Sequence, residues 1–166
     1  VHMMAHGTTL HGAQARAPEH RCRPLVYYAP ETTIGQVFAA KRAERASLII
    51  GAVGLGTGTV AAYVRPEDRL TFFEIDPLMV EIANDPAYFS YTTECAKGPI
   101  DYVIGDARLT LEDQPEGRFD LLLLDAFSSD AVPAHLLTVE AVEMYLAKLK
   151  PDGVLIMHLS NRNLDL

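Results

Sequence analysis

Between residues 47 and 76 the chain passes from an apolar run, Ser47-Leu-Ile-Ile50, through Gly51-Ala-Val-Gly-Leu-Gly-Thr-Gly58 into a second apolar run, Leu70-Thr-Phe-Phe73, that ends on Glu74-Ile-Asp76. Glycine follows backbone paths that other residues resist, so this spacing dictates a strand, a tight turn and a helix starting near residue 57. No other segment restricts the fold as strongly. The alternation then continues. Strands are predicted at 47–51, 69–74, 100–104, 119–125 and 153–160, and helices near 57–64, 77–84, 107–111 and 136–149. Short apolar runs alternating with helical segments describe a parallel sheet wrapped by helices. Leu121-Leu-Leu-Leu124 is apolar on both faces, which makes it the expected sheet centre.

The glycine turn also carries chemistry. A dinucleotide fingerprint needs its third glycine three positions after the second, and that position is Thr59; Gly54-x-Gly56-x-Gly58 is the tighter spacing of S-adenosylmethionine-type folds. No Lys-Ser/Thr pair follows, so the turn is not a P-loop. Glu74 stands about 20 residues after Gly54, at a strand end, where a carboxylate accepts from ribose hydroxyls. A ligand-free turn is the alternative, and Glu74 favours a nucleoside cofactor over it.

The first 46 residues differ in character. Residues 2–14 are rich in His, Gly and Thr, residues 15–23 are polar, residues 25–28 form a β-type run, and a helix is predicted at 34–42. They read as a small β-hairpin appendage with a flexible loop and a lead-in helix (residues 1–46), ahead of one nucleoside-binding unit (residues 47–166). The final strand runs into Ser160-Asn-Arg-Asn-Leu-Asp-Leu166 without a closing element. The fold class is therefore a Rossmann-like, doubly wound α/β sheet with an N-terminal hairpin, read as C-terminally truncated.

A chain of 166 residues with 49% hydrophobic and 22% charged residues suits one globular domain. No apolar stretch reaches bilayer length. The net charge of −8 disfavours a nucleic-acid groove and is compatible with a cationic substrate such as an amine. Cys22 and Cys95 are too few and too far apart to imply a disulfide framework, which fits a reducing cytoplasm. His6, His11, His135 and His158 lack zinc-ligand spacing, so no metal is expected.

Ligands of an open α/β sheet bind outside the carboxyl ends of its strands. Glu74, Asp76, Asp106 and Asp125 all fall there. Asp76, before Pro77, reads as a helix cap. Asp106 suits either a cap or an acceptor for an adenine amino group, with the Ala107 backbone against the ring. Asp125 faces the reacting atom, and Asp125-Ala-Phe-Ser-Ser-Asp130 supplies two carboxylates that would hold a cationic amine and accept its proton. A solvated turn is the alternative for that loop.

These residues resemble the spermidine synthase family of polyamine aminopropyltransferases, and within it the bacterial spermidine-synthase-like domains fused to membrane transporter-like segments. His6-Gly-Thr-Thr-Leu-His-Gly-Ala-Gln14 is similar to the family's amino-terminal Gly-x-x-Gln segment, and Tyr27-Tyr28 to its substrate-side tyrosine region. Val53-Gly-Leu-Gly-Thr-Gly58, Glu74-Ile-Asp76, Gly105-Asp106 and the loop from Asp125 to Asp130 follow in family order. The resemblance implies donor contacts from Gln14, Glu74 and Asp106 beside the glycines Gly54, Gly56 and Gly58. It also implies amine binding by Tyr28 and Asp130, and amine activation by Asp125. The implied activity moves an aminopropyl group from decarboxylated S-adenosylmethionine to an amine such as putrescine. Two positions depart from the pattern: Thr57 replaces an Asp that meets the donor's ammonium, and four residues rather than two separate Asp125 from Asp130. Methyl transfer from S-adenosylmethionine, and a non-catalytic nucleoside or polyamine sensor, are the alternatives. Membrane attachment of a cytoplasmic-side domain, and homodimerisation, stay open.

Overall fold

The computed structural model describes residues 1–6, 9–126 and 133–159. The chain enters with an antiparallel hairpin, β1 (His2–His6) and β2 (Thr9–Gln14), followed by the helix α1 (Thr33–Glu44). The sheet strands β3 (Ile49–Val53), β4 (Arg69–Glu74), β5 (Ile100–Ile104), β6 (Phe119–Leu124) and β7 (Leu149–Met157) alternate with α2 (Pro77–Asn84), α3 (Ala107–Glu112) and α4 (Val139–Lys148). Every pairing in the five-stranded sheet is parallel, and the strand order is β5-β4-β3-β6-β7. This is the Rossmann-like, methyltransferase-type α/β fold expected, with the small hairpin at its amino end.

Side-chain alternation builds two cores. Leu121 and Leu123 face one layer, with Phe38, Ile50 and Phe72, while Leu122 and Leu124 face the other, with Phe73, Leu111 and Tyr145. All six residues of β6 are buried. The sheet centre is nevertheless β3, and β6 lies beside it. Gly51 lets the neighbouring strand close on β3: a Cβ there would stand 2.8 Å from Leu122 Cδ1 and 3.1 Å from the Phe119 ring, so large side chains fill its place.

Several boundaries differ from the expected ones. The run at 25–28 is not a strand but a 3₁₀ turn, Val26–Tyr28, and the segment after the glycines is a 3₁₀ helix, Thr59–Tyr63. The helix expected at 136–149 divides into a 3₁₀ turn, Ala134–Leu136, and α4. A π-helical turn, Tyr91–Cys95, has no counterpart among the predicted elements.

That turn fastens the N-terminal segment to the sheet domain. Tyr91 Oη donates to Ala13 O (2.9 Å) and Arg23 O (3.1 Å), and Cys22 is disulfide-bonded to Cys95. The expectation that two cysteines so far apart imply no disulfide framework is thus corrected. Their 73-residue separation is spanned because β2 and the π-helical turn pack together, which brings the two Cα atoms to 5.2 Å. The cysteine-based case for a reducing compartment lapses with it. Among the described residues, no helix is long and apolar enough to cross a membrane.

Candidate functional site

The strand order reverses between β3 and β6, so their loops leave in opposite directions and open a crevice at the strand ends. Gly54 and Asp125, the next residues after these strands, touch there. Gly54 has φ 86°, and a Cβ on it would lie 2.2 Å from Asp125 O. Gly56 has φ 51°, and a Cβ on it would lie 2.7 Å from His11 O, which β2 carries across the turn. Only glycine meets both demands, the positive φ and the close approach.

The crevice widens into a cavity of about 710 Å³ lined by Gly54, Gly56, Glu74, Asp106, Ala107 and Asp125, and also by Met4, His11, Tyr27 and His135. That volume suits a small-molecule site. A more open groove of about 930 Å³ lies between β1 and α2, lined by Met3, Leu78 and Tyr88. It lies away from the strand ends, so its size does not mark the chemistry.

Local backbone groups hold the acids on the β4 and β5 side. Glu74 Oε2 accepts from Leu55 N (2.8 Å) and Oε1 from Asp76 N (3.0 Å), so this buried carboxylate braces the glycine turn. Asp76 caps α2 by accepting from Leu78 N, as its place before Pro77 predicted. Asp106 Oδ1 caps α3 through Arg108 N (2.8 Å), and Oδ2 lies 3.0 Å from His135 Nε2. A carboxylate offers about four acceptor positions, so the cap and His135 leave Asp106 capacity for a further partner.

Side chains from distant segments hold Asp125. Its side chain is 5% exposed; Oδ1 lies 2.7 Å from His158 Nδ1, while Oδ2 accepts from Tyr27 Oη at 3.1 Å and also from Tyr28 Oη. Successive strand residues point to opposite faces, so a strand at 25–28 could not send both hydroxyls to one carboxylate. The 3₁₀ turn does so. Its first residue, Val26, has φ 60° and is the sole non-glycine residue of positive φ among those described. Such a conformation is strained for a β-branched side chain. Burial first, and the Asp125 charge second, push the Tyr27 and Tyr28 hydroxyls well above the ordinary phenol range. Both keep their protons and act as donors.

The structure therefore gathers Gly54, Gly56, Glu74, Asp106, Ala107 and Asp125 around one cavity. It does not bring the other expected residues there. Gln14 is buried and is spent on Ser90 N, Ser90 Oγ and Arg21 O, which anchors the hairpin. Gly58 turns toward Thr92. Tyr28 stands behind Asp125, and Tyr27 lines the cavity instead. Thr57, expected opposite the donor's tail, is 1% exposed and enclosed against Gly12 and Thr59. Asp130 lies outside the described residues. His11, His135 and His158, which lack zinc-ligand spacing, have other places: the first two line the cavity and the third holds Asp125. The signal for His158 is its place just past the apolar run of β7, the strand beside β6.

No family model matches the chain. It is 35% identical over 109 residues to a polyamine aminopropyltransferase of Vibrio vulnificus, covering 63% of this chain and 35% of that protein. It is 25% identical over 154 residues to a probable polyamine aminopropyl transferase of Bifidobacterium longum, covering 91% and 31%. The chain thus spans about a third of the length of these two relatives. Among solved structures, a probable spermidine synthase from Corynebacterium glutamicum superposes with a TM-score of 0.61 at 24% identity, over 74% of this chain and 44% of that one. A SAM-dependent methyltransferase from Methanosarcina mazei gives 0.52 at 17%, over 72% and 55%. The structural likenesses carry the fold, and the sequence similarity lies with spermidine synthase-like proteins.

Proposed function

We propose that this domain binds an adenosyl sulfonium and transfers its aminopropyl group from decarboxylated S-adenosylmethionine to an amine such as putrescine, releasing methylthioadenosine. The observation that carries this reading is Asp125, a buried carboxylate at the reversal point of the sheet, gripped by two tyrosines and open to the cavity whose other wall holds Glu74 and Asp106. Glu74 has acceptor capacity beyond its two backbone donors for a ribose diol, and Asp106 for an adenine amino group.

The amine nitrogen attacks the methylene carbon beside the sulfonium. A carbon–nitrogen bond forms, the carbon–sulfur bond breaks with its electron pair passing to sulfur, and Asp125 takes the proton released by nitrogen. Alignment of nitrogen with the breaking bond supplies much of the rate, and a placed base contributes about 10²- to 10⁴-fold.

Methyl transfer from S-adenosylmethionine is the second reading, supported by the glycine turn. The glycine turn presents no carboxylate to a cationic donor tail, and Thr57 is itself enclosed. Calorimetry with methylthioadenosine, S-adenosylmethionine and decarboxylated S-adenosylmethionine side by side separates the two, together with an assay of methylthioadenosine release in the presence of diamines. Tighter binding of the decarboxylated donor and amine-dependent release are expected. Preference for the carboxylate-bearing donor with methylation of an acceptor would overturn aminopropyl transfer. Binding of methylthioadenosine without turnover of any amine would leave a sensor.

A further inference from the structure

His158 is the residue after β7, and β7 pairs in parallel with β6 so that Met157 stands beside Leu124. His158 and Asp125 are therefore the next residues past two neighbouring strands, joined by His158 N donating to Leu124 O at 2.9 Å. The imidazole reaches Asp125 Oδ1 through Nδ1 at 2.7 Å and stacks on Tyr27, with centroids 4.0 Å apart and planes inclined by 34°. The His158 side chain is 26% exposed, against 5% for Asp125.

The acceptor positions of Asp125 are then nearly filled. An ionised carboxylate offers about four, two on each oxygen. Tyr27 and Tyr28 occupy both on Oδ2, and His158 occupies one on Oδ1. An ionised Asp125 cannot donate, so the short contact needs hydrogen on Nδ1. Of the two tautomers of a neutral ring, only the Nδ1–H one meets that requirement.

Resting on the amine-transfer reading above, we propose that His158 is the positioning residue for Asp125, clamping the carboxylate through Nδ1–H so that the attacking amine is received at the remaining position on Oδ1. As the carbon–nitrogen bond forms and the carbon–sulfur pair returns to sulfur, the proton leaving nitrogen passes to Asp125 Oδ1. His158 keeps its Nδ1–H throughout. The role of the ring is orientation, and the proton resides on the carboxyl group.

Two substitutions separate the clamp from mere packing. His158→Asn places an amide N–H near the position of Nδ1, whereas His158→Ala supplies no donor. In protein saturated with methylthioadenosine, calorimetry with putrescine is expected to show about 3- to 10-fold weaker binding for His158→Ala, because the freed carboxylate must then be ordered by the amine itself. Asn is expected to restore most of it, with methylthioadenosine affinity equal in all three proteins. Nitrogen-15 shifts of the His158 ring at alkaline pH are expected to report Nδ1–H in the wild type and to lose that preference in Asp125→Asn. Equal losses for Ala and Asn, or an Nε2–H ring in the wild type, would overturn the proposal. If wild type binds methylthioadenosine but no diamine, the amine-transfer reading and the amine's place at Oδ1 both fall. The ring shifts still decide, separately, whether His158 clamps Asp125.

Discussion

The two ends of the cavity are built in different ways. On the β4 and β5 side, Glu74 and Asp106 are held by backbone N–H groups, and the partners of Glu74 are Leu55 and Asp76, on the turn it braces and two positions along the chain. At the β6 and β7 end, Asp125 is held by side chains 33, 97 and 98 positions away. The first arrangement follows from local sequence and survives wherever a glycine turn and a strand end meet. The second exists only after α1, β6 and β7 have assembled, so the chemistry proposed here depends on tertiary structure more than the nucleoside binding does.

Asp125→Asn tests that separation most severely. Under the amine-transfer reading it is expected to lower the rate about 10²- to 10⁴-fold while methylthioadenosine affinity stays near wild type. A parallel loss of affinity, measured by calorimetry, would show that the two ends are not independent. Reduction of Cys22–Cys95 acts on the same end indirectly, because that bond anchors the segment delivering Tyr27 and Tyr28. For cysteines 73 positions apart, about 2–4 kcal/mol of stability is expected to be lost in urea titrations with and without reductant. Equal midpoints would mean that the hairpin contacts alone secure this segment.

Glu74→Ala addresses the opposite end. It is expected to weaken methylthioadenosine by about 1.5–3 kcal/mol, the range for a hydrogen bond to a charged group, with little change in rate at saturating donor. A rate defect without an affinity defect would invert the comparison. The smallest change, a loss confined to alkaline pH, comes from the tyrosines of the framework. Burial pushes the Tyr63 and Tyr91 hydroxyls up to about 12, above the ordinary value of about 10. A folded value above the unfolded one means that their contribution is complete below about pH 10 and is lost as pH rises toward 12. Stability measured by denaturant titration is expected to fall across that window, and less steeply in Tyr63→Phe.

How much of this was legible in the sequence follows the same division. β4 and β5 occupy the residues predicted, as does α2, because apolar runs and the Asp76-Pro77 cap are local signals. Glu74, Asp106 and Asp125 were readable as strand-end acids for the same reason. The fate of residues 25–28 was not, since a β-type composition cannot announce that Val26 will adopt φ 60° to aim two tyrosines at one carboxylate. Nor was Thr57, whose enclosure depends on β2 crossing the glycine turn, where Gly12 leaves just enough room for it. Cys22 with Cys95, and His158 with Asp125, are pairs created by packing and strand order, which no spacing rule encodes.

The strand order also governs how the chain must assemble. β3 and β4 are close in sequence and pair directly, whereas β6 reaches its place beside β3 only after about 70 intervening residues have been made, and long-range pairing of this kind is slow. Until then Leu121-Leu-Leu-Leu124 is an exposed apolar β-segment, the kind that promotes aggregation. Asp120 and Asp125 bracket it with negative charge, in the manner of gatekeeper residues. A substitution that removes the Asp125 charge is therefore expected to lower the refolding yield, which light scattering during dilution from urea checks.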